Sequence, residues 1–95
     1  MLVHTTLYGT LRIIVGRQVL DLTFEAQYVT IAQLLETLVN MYPRTRPYLF
    51  DLSTHEIHRD MRVLVNGKRP QPTVTPTMPL YDNDRLALIV APTIH

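Results

Sequence analysis

One stretch of this 95-residue chain, and only one, repeats with a clear helical period. Ile31, Leu34, Leu35, Leu38, Val39 and Tyr42 recur at spacings of three and four, which places them along one side of a helix. Thr30 stands where a hydroxyl can cap the first turn. Pro43 has no amide hydrogen for the ladder and biases Tyr42 away from helical backbone, so the helix is predicted to stop there. A chain with one amphipathic helix has to bury its apolar stripe against something else. The remainder of the sequence offers strands.

Val3, Thr5 and Leu7 alternate with Leu2, His4, Thr6 and Tyr8, the period-two signature of a strand buried on one side. Gly9 to Gly16 reads as a connection closed by a glycine, and Gln18 to Phe24 returns as a second strand carrying Val19, Leu20, Leu22 and Phe24. Arg44 to Asp60 shows no sustained period and reads as loop, with a short strand or turn around Tyr48 to Leu52. Met61 to Val65 is a short strand followed by Asn66-Gly67, two residues that tolerate positive φ in a tight turn. Pro70, Pro72, Pro76 and Pro79 predict an extended loop from Lys68 to Pro79. Arg85 to Ala91 is the last strand. The order β, β, α, loop, β, β fits an α+β domain, a mixed sheet of four to five strands with one main helix across one face. With 46% hydrophobic residues, residues 1–95 suffice for one domain with one core.

Alternation also assigns faces. If Val3, Thr5, Leu7, Val63, Val65, Leu86, Leu88 and Val90 point at the helix, then Tyr8, Leu64, Ala87 and Ile89 point to the uncovered side. Scattered surface apolar groups are ordinary, but four on one open sheet face form a patch suited to a partner. Tyr8 and Ile89 are its leading candidates.

Composition removes several classes of function. With no cysteine there is no disulfide, no thiolate metal site and no cysteine nucleophile, which is compatible with a reducing interior. The net charge of +1 is spread along the chain, so no nucleic-acid footprint is visible. No run is long and apolar enough for a membrane span, and Met1 to Thr5 lacks a signal-peptide pattern, so a cytoplasmic protein is expected. His55-Glu56-Ile57-His58 lacks the i, i+4 histidine spacing of a zinc protease helix. Asp82-Asn83-Asp84 reads as a turn whose carboxylates bond nearby backbone, with Asn83 in left-handed conformation. No catalytic triad, acid/base pair or phosphate-cradling glycine loop can be assembled. Neither a cofactor, a metal nor an enzymatic activity of the chain's own is expected.

The run Leu80-Tyr81-Asp82-Asn83-Asp84-Arg85-Leu86-Ala87-Leu88-Ile89-Val90-Ala91-Pro92 carries a resemblance. With the Leu11-Arg12 to Val15-Gly16 bend, the helix ending in Tyr42-Pro43 and the Val63-Leu64-Val65-Asn66-Gly67 turn, it resembles the MoaD/ThiS group of ubiquitin-like β-grasp sulfur carriers, which includes the small subunit of molybdopterin synthase. Leu80, Asp82, Asp84 and Pro92 match the group's tail pattern, while Asn83 stands where glycine is usual. Thr93-Ile94-His95 stand where the group has its terminal Gly-Gly.

The resemblance implies the β-grasp topology and a function by docking. It implies a tail formed by Pro92, Thr93, Ile94 and His95, and it favours Tyr8, Leu64, Ala87 and Ile89 as a partner-binding face; Arg69, after the Asn66-Gly67 turn, is a rim candidate by its charge and position. The implied partner is an adenylating enzyme of the MoeB/ThiF kind or a larger synthase subunit, which activates the carrier's terminal carboxyl for sulfur transfer. Glycine suits such a tail because the backbone must enter a narrow channel. Thr93 and Ile94 are β-branched and stiff, which argues against ordinary thiocarboxylation. The alternative expectation is a degenerate carrier that serves as a non-catalytic interaction or accessory subunit. With Lys68 as the only lysine, lysine-linked chains of this protein on itself are not expected.

Overall fold

The computed structural model describes residues 1–69 and 75–90. The chain runs through β1 (Leu2–Gly9), α1 (Thr10–Val15), β2 (Val19–Thr23), β3 (Tyr28–Thr30), α2 (Ile31–Met41), a 3₁₀ turn (Pro43–Thr45), α3 (Arg46–Leu49), β4 (Met61–Val65), β5 (Pro79–Tyr81) and β6 (Arg85–Val90). Four strands form a mixed sheet in the order β2-β1-β6-β4, and β3 pairs with β5 in a separate two-stranded ribbon. β1 and β6, first and last in the chain, lie side by side and parallel at the centre; β2 and β4 flank them antiparallel.

α2 forms as its sequence demands. The Thr30 hydroxyl accepts from the Gln33 amide at 3.1 Å, and the Gln33 side chain accepts from the Thr30 amide at 2.9 Å, a reciprocal capping box. Such a cap contributes on the order of 1 kcal/mol. Ile31, Leu34, Leu35, Leu38 and Val39 are all buried, and each is worth roughly 1.5–3 kcal/mol of transfer free energy. They meet Val3, Leu7, Leu20, Leu22, Val63, Leu86, Leu88 and Val90 from the sheet in one core. Val65, expected in that set, is only partly buried and packs at the core's margin.

Three expectations are corrected. The stretch after Gly9 is a short helix, α1, in which Leu11 is buried and Gly16 closes the last turn in left-handed conformation, its amide donating to the Arg12 carbonyl at 2.9 Å. Six residues are too few to display a period. The segment after Tyr42 is helical at its start, because Pro43 opens the 3₁₀ turn and Pro47 lies in the first turn of α3. Proline is tolerated at those positions, where an amide would have no intrahelical partner. Finally, Pro79 begins β5 and pairs with Thr30, in a ribbon where a missing amide donor is affordable. Of the proline-rich loop, residues 70–74 lie outside the described residues, as does Ala91 of the last expected strand.

The acidic turn and the Asn66-Gly67 turn are fastened to one another. An Asp82 carboxylate oxygen accepts from the Leu2 amide at 2.7 Å, and Asp84 accepts from the Tyr81 amide at 2.8 Å and the Asn66 side-chain amide at 3.2 Å. Asn66 in turn accepts from the Arg85 amide at 2.9 Å. Asn83 sits at φ 66° and Asn66 at φ 52°, left-handed positions that asparagine tolerates better than most residues. These two carboxylates are therefore engaged with backbone and with a turn, which locks the start of β1 to the start of β6.

Thr5 is the one flaw in the core. It is fully buried, paired with Leu20 and Leu86, and its hydroxyl has no hydrogen-bond partner among the described residues. Thr5→Val removes that orphaned group at similar volume and is expected to stabilise the protein by about 1 kcal/mol. A rise in the urea midpoint with unchanged slope is the readout, and an unchanged or lower midpoint contradicts it.

Candidate functional site

The sheet register converts the expected patch into rows. Tyr8 is opposite Ile89, and Ile89 is opposite Arg62, so these three cross the uncovered face side by side. In the next row, Leu64 is opposite Ala87, Ala87 opposite Thr6, and Thr6 opposite Val19. Strands lie about 4.8 Å apart, so the Tyr8–Ile89–Arg62 row is on the order of 10 Å across. Tyr8 is 41% exposed and Val19 54%, while Leu64, Ala87 and Ile89 are half-buried by their neighbours.

All four apolar candidates thus share one face. Sequence reasoning missed two members of it, Val19 and Arg62. Val19 was accessible by parity, since Leu20 and Leu22 are buried on the same strand and Val19 must point the other way. Arg62 alternates with Met61 and Val63 in the same manner. A third row holds His4 between Asp21 and Arg85, with His4 Nδ1 and the Asp21 carboxylate 2.8 Å apart.

Arg69 lies towards the Leu64 end of this face. It follows Lys68, whose backbone exchanges hydrogen bonds with Val65, and Val65 is opposite Leu86 near the start of β6. The Tyr8–Ile89–Arg62 row is at the other end of that strand, three residues along and roughly 10 Å away. Pro92, Thr93, Ile94 and His95 lie outside the described residues.

The strand that leads to them is well held. Gly9 is opposite Val90, at φ 63° and ψ −133°, and a Cβ built there would stand 2.6 Å from the Val90 carbonyl oxygen. Only glycine leaves room for that approach. Beyond Gly9 the chain enters α1, and a cleft of about 490 Å³ opens among Gly9, Arg12, Ile13, Gly16, Arg17 and Gln18. Ile13 is 81% exposed at this end of the sheet. The end of β6 is therefore flanked on one side by the Tyr8 face and on the other by a basic cleft.

Elsewhere, the Asp51 carboxylate accepts from the amides of Ser53 and Thr54 at 2.8 and 3.3 Å, which holds it below the usual carboxylate range. This orders the loop containing His55 and His58. It gathers no third ligand: among the described residues no cluster of histidine and carboxylate groups is placed to hold a metal ion. No helix among the described residues is long and apolar enough to cross a membrane.

No protein-family model matches the sequence, and no curated protein matches it closely enough to count as a relative. Solved structures do match the fold. The small archaeal modifier protein SAMP1 from Haloferax volcanii superposes with a TM-score of 0.83 at 19% identity, covering 100% of both chains. Urm1 from Trypanosoma brucei gives 0.77 at 18% identity, over 99% of this chain and 95% of its own. A protein from Pyrococcus furiosus assigned as subunit 1 of a molybdopterin converting factor gives 0.73 at 16% identity, over 97% and 99%. The chain has the ubiquitin-like β-grasp fold of these proteins over essentially its whole length.

The Gly9–Val90 approach yields a direct test. Gly9→Ala is expected to lower stability by roughly 1–3 kcal/mol, because the backbone conformation is open only to glycine and the new methyl strikes a backbone oxygen. Gly16→Ala, left-handed but with open space around it, is expected to lower it by about 1 kcal/mol. Equal effects in parallel urea titrations would show that the close approach to Val90 is not a constraint.

Proposed function

We propose that this chain is a ubiquitin-like carrier that docks by its uncovered sheet face on an adenylating enzyme of the MoeB/ThiF kind or on a larger synthase subunit, and presents the segment after Val90 to it. The observation that carries this reading is the in-register pair Tyr8 and Ile89, on the uncovered face and one residue from the end of β6. A partner seated on that pair would have the emerging segment directly beside it. The β-grasp likeness to a modifier protein and to a molybdopterin converting factor subunit supports the same reading.

In this role the chain supplies a rigid handle and a carboxyl group, and the partner supplies catalysis. Tyr8 and Ile89 contribute apolar contact, with the phenol able to bond at the wet margin. Arg62, beside Ile89, sets the orientation of an approaching acidic group. On the partner, the carboxylate attacks the α-phosphate of ATP and releases pyrophosphate, and a sulfide-level nucleophile from the sulfur donor then displaces AMP from the acyl-adenylate to leave the thiocarboxylate. Such work would serve sulfur transfer or cofactor assembly, molybdopterin included, in the cytoplasm.

A second reading is favoured by one specific observation. Thr93-Ile94-His95 stand where the carrier group has its Gly-Gly, and the β-branched side chains of Thr93 and Ile94 are poorly suited to a narrow activation channel. On that reading the chain keeps the docking face and acts as an interaction or accessory subunit.

Two measurements test the proposal. Tyr8→Ala and Ile89→Asp are each expected to weaken binding to the adenylating enzyme of the same organism by about ten-fold or more, the loss of a central interface anchor. Unchanged affinity would remove the sheet face from the account. Intact-mass analysis after incubation with that enzyme, ATP and a sulfur donor is expected to show a thiocarboxylate. Retained binding with an unchanged mass selects the accessory-subunit reading.

A further inference from the structure

We propose that the cleft between Arg12 and Arg17 receives an acidic segment of a partner protein, as a recognition site separate from the Tyr8–Ile89 face. The geometry is built by α1 and its cap. Gly16 reverses the chain in left-handed conformation immediately after the last turn, so Arg17 comes back towards Arg12 and the two line one cleft of about 490 Å³.

Neither arginine is engaged elsewhere. The ion pairs among the described residues are His4 with Asp21, Arg46 with Glu36 and His58 with Asp60, so no carboxylate of the described chain neutralises Arg12 or Arg17. Both are exposed, and no acidic residue lines the cleft. A guanidinium matches a carboxylate by two parallel hydrogen bonds, and two of them on one cleft favour a segment with more than one acidic side chain.

The cleft is also apolar at its rim, and this selects among anions. Ile13, 81% exposed, stands beside the arginines, and Gly9 and Gly16 leave the cleft without side-chain walls at two points. An acidic peptide with an interspersed leucine uses all three features. A nucleic-acid backbone would seek an extended cationic surface, whereas this chain has nine basic and eight acidic residues and a net charge of +1. A second cleft, bordered by Phe24, Tyr28 and Glu36, includes a carboxylate and no cation among its lining residues.

The site goes beyond the carrier reading and does not depend on tail activation, so its test uses the full chain alone. The probe is an acetylated, amidated peptide Asp-Leu-Glu-Asp-Leu, titrated into isotope-labelled protein and followed by amide NMR shifts. The expected result is saturable shifts centred on Gly9 to Gln18, with affinity that falls as salt is raised. In the R12Q/R17Q double variant the affinity is expected to fall at least about ten-fold while amides outside this region keep their positions, which shows the fold intact. The proposal is overturned if the neutral analogue Asn-Leu-Gln-Asn-Leu produces the same shifts, or if the double variant binds as well as the parent. It is equally overturned if inorganic phosphate saturates the same amides more tightly than the peptide, which would make this a small-anion site.

Discussion

The parallel pairing of β1 with β6 is the constraint on which the rest of the molecule depends. It joins the first strand of the chain to the last at the centre of the sheet, from His4 opposite Arg85 to Gly9 opposite Val90. Because the pair is parallel, both strands finish at the same edge. One continues into α1 and its basic cleft; the other continues towards the tail. The two ends of the pair are secured by different chemistry. At the start, Asp82 and Asp84 fasten turns and backbone amides together, and at the finish Gly9 permits a backbone approach that any side chain would block.

This arrangement gives the sheet one closed face and one open face. The helix-facing side of the sheet is closed by α2, and its only unsatisfied side-chain atom among the described residues is the Thr5 hydroxyl. The other side carries Tyr8, Val19, Leu64, Ala87 and Ile89 in two adjacent rows, with Arg62 at one end. Tyr8 and Val19 on that side are exposed, and Leu64, Ala87 and Ile89 are half-buried by their neighbours.

Much of the fold was legible because its strongest local signals agree. α2 announced itself by period, by Thr30 at one end and by Pro43 at the other, and its observed bounds differ from the expected ones only at Tyr42, which is the cap. The Asn66-Gly67 and Asn83 turns were legible from residues that accept positive φ. The short elements were not. α1 and α3 span six and four residues, too few for periodicity, and Pro43, which ends α2 as expected, also opens the 3₁₀ turn that leads into α3. β3 and β5 are three residues each and exist only through their pairing. At the site, alternation placed Tyr8, Leu64, Ala87 and Ile89 on one face, but the order of the rows required the register. The Arg12–Arg17 cleft depends on a reversal at Gly16 that no spacing in the sequence announces.

The central claim is that a partner covers the sheet face at the end of β6 and leaves the helix side free. Amide hydrogen exchange of the chain, alone and in complex with the adenylating enzyme of its organism, tests this most directly. The account predicts added protection in β1 and β6 around Tyr8 and Ile89 and in Arg62 of β4, with exchange in α2 unchanged. Protection confined to α2 or to the β3–β5 ribbon would contradict it.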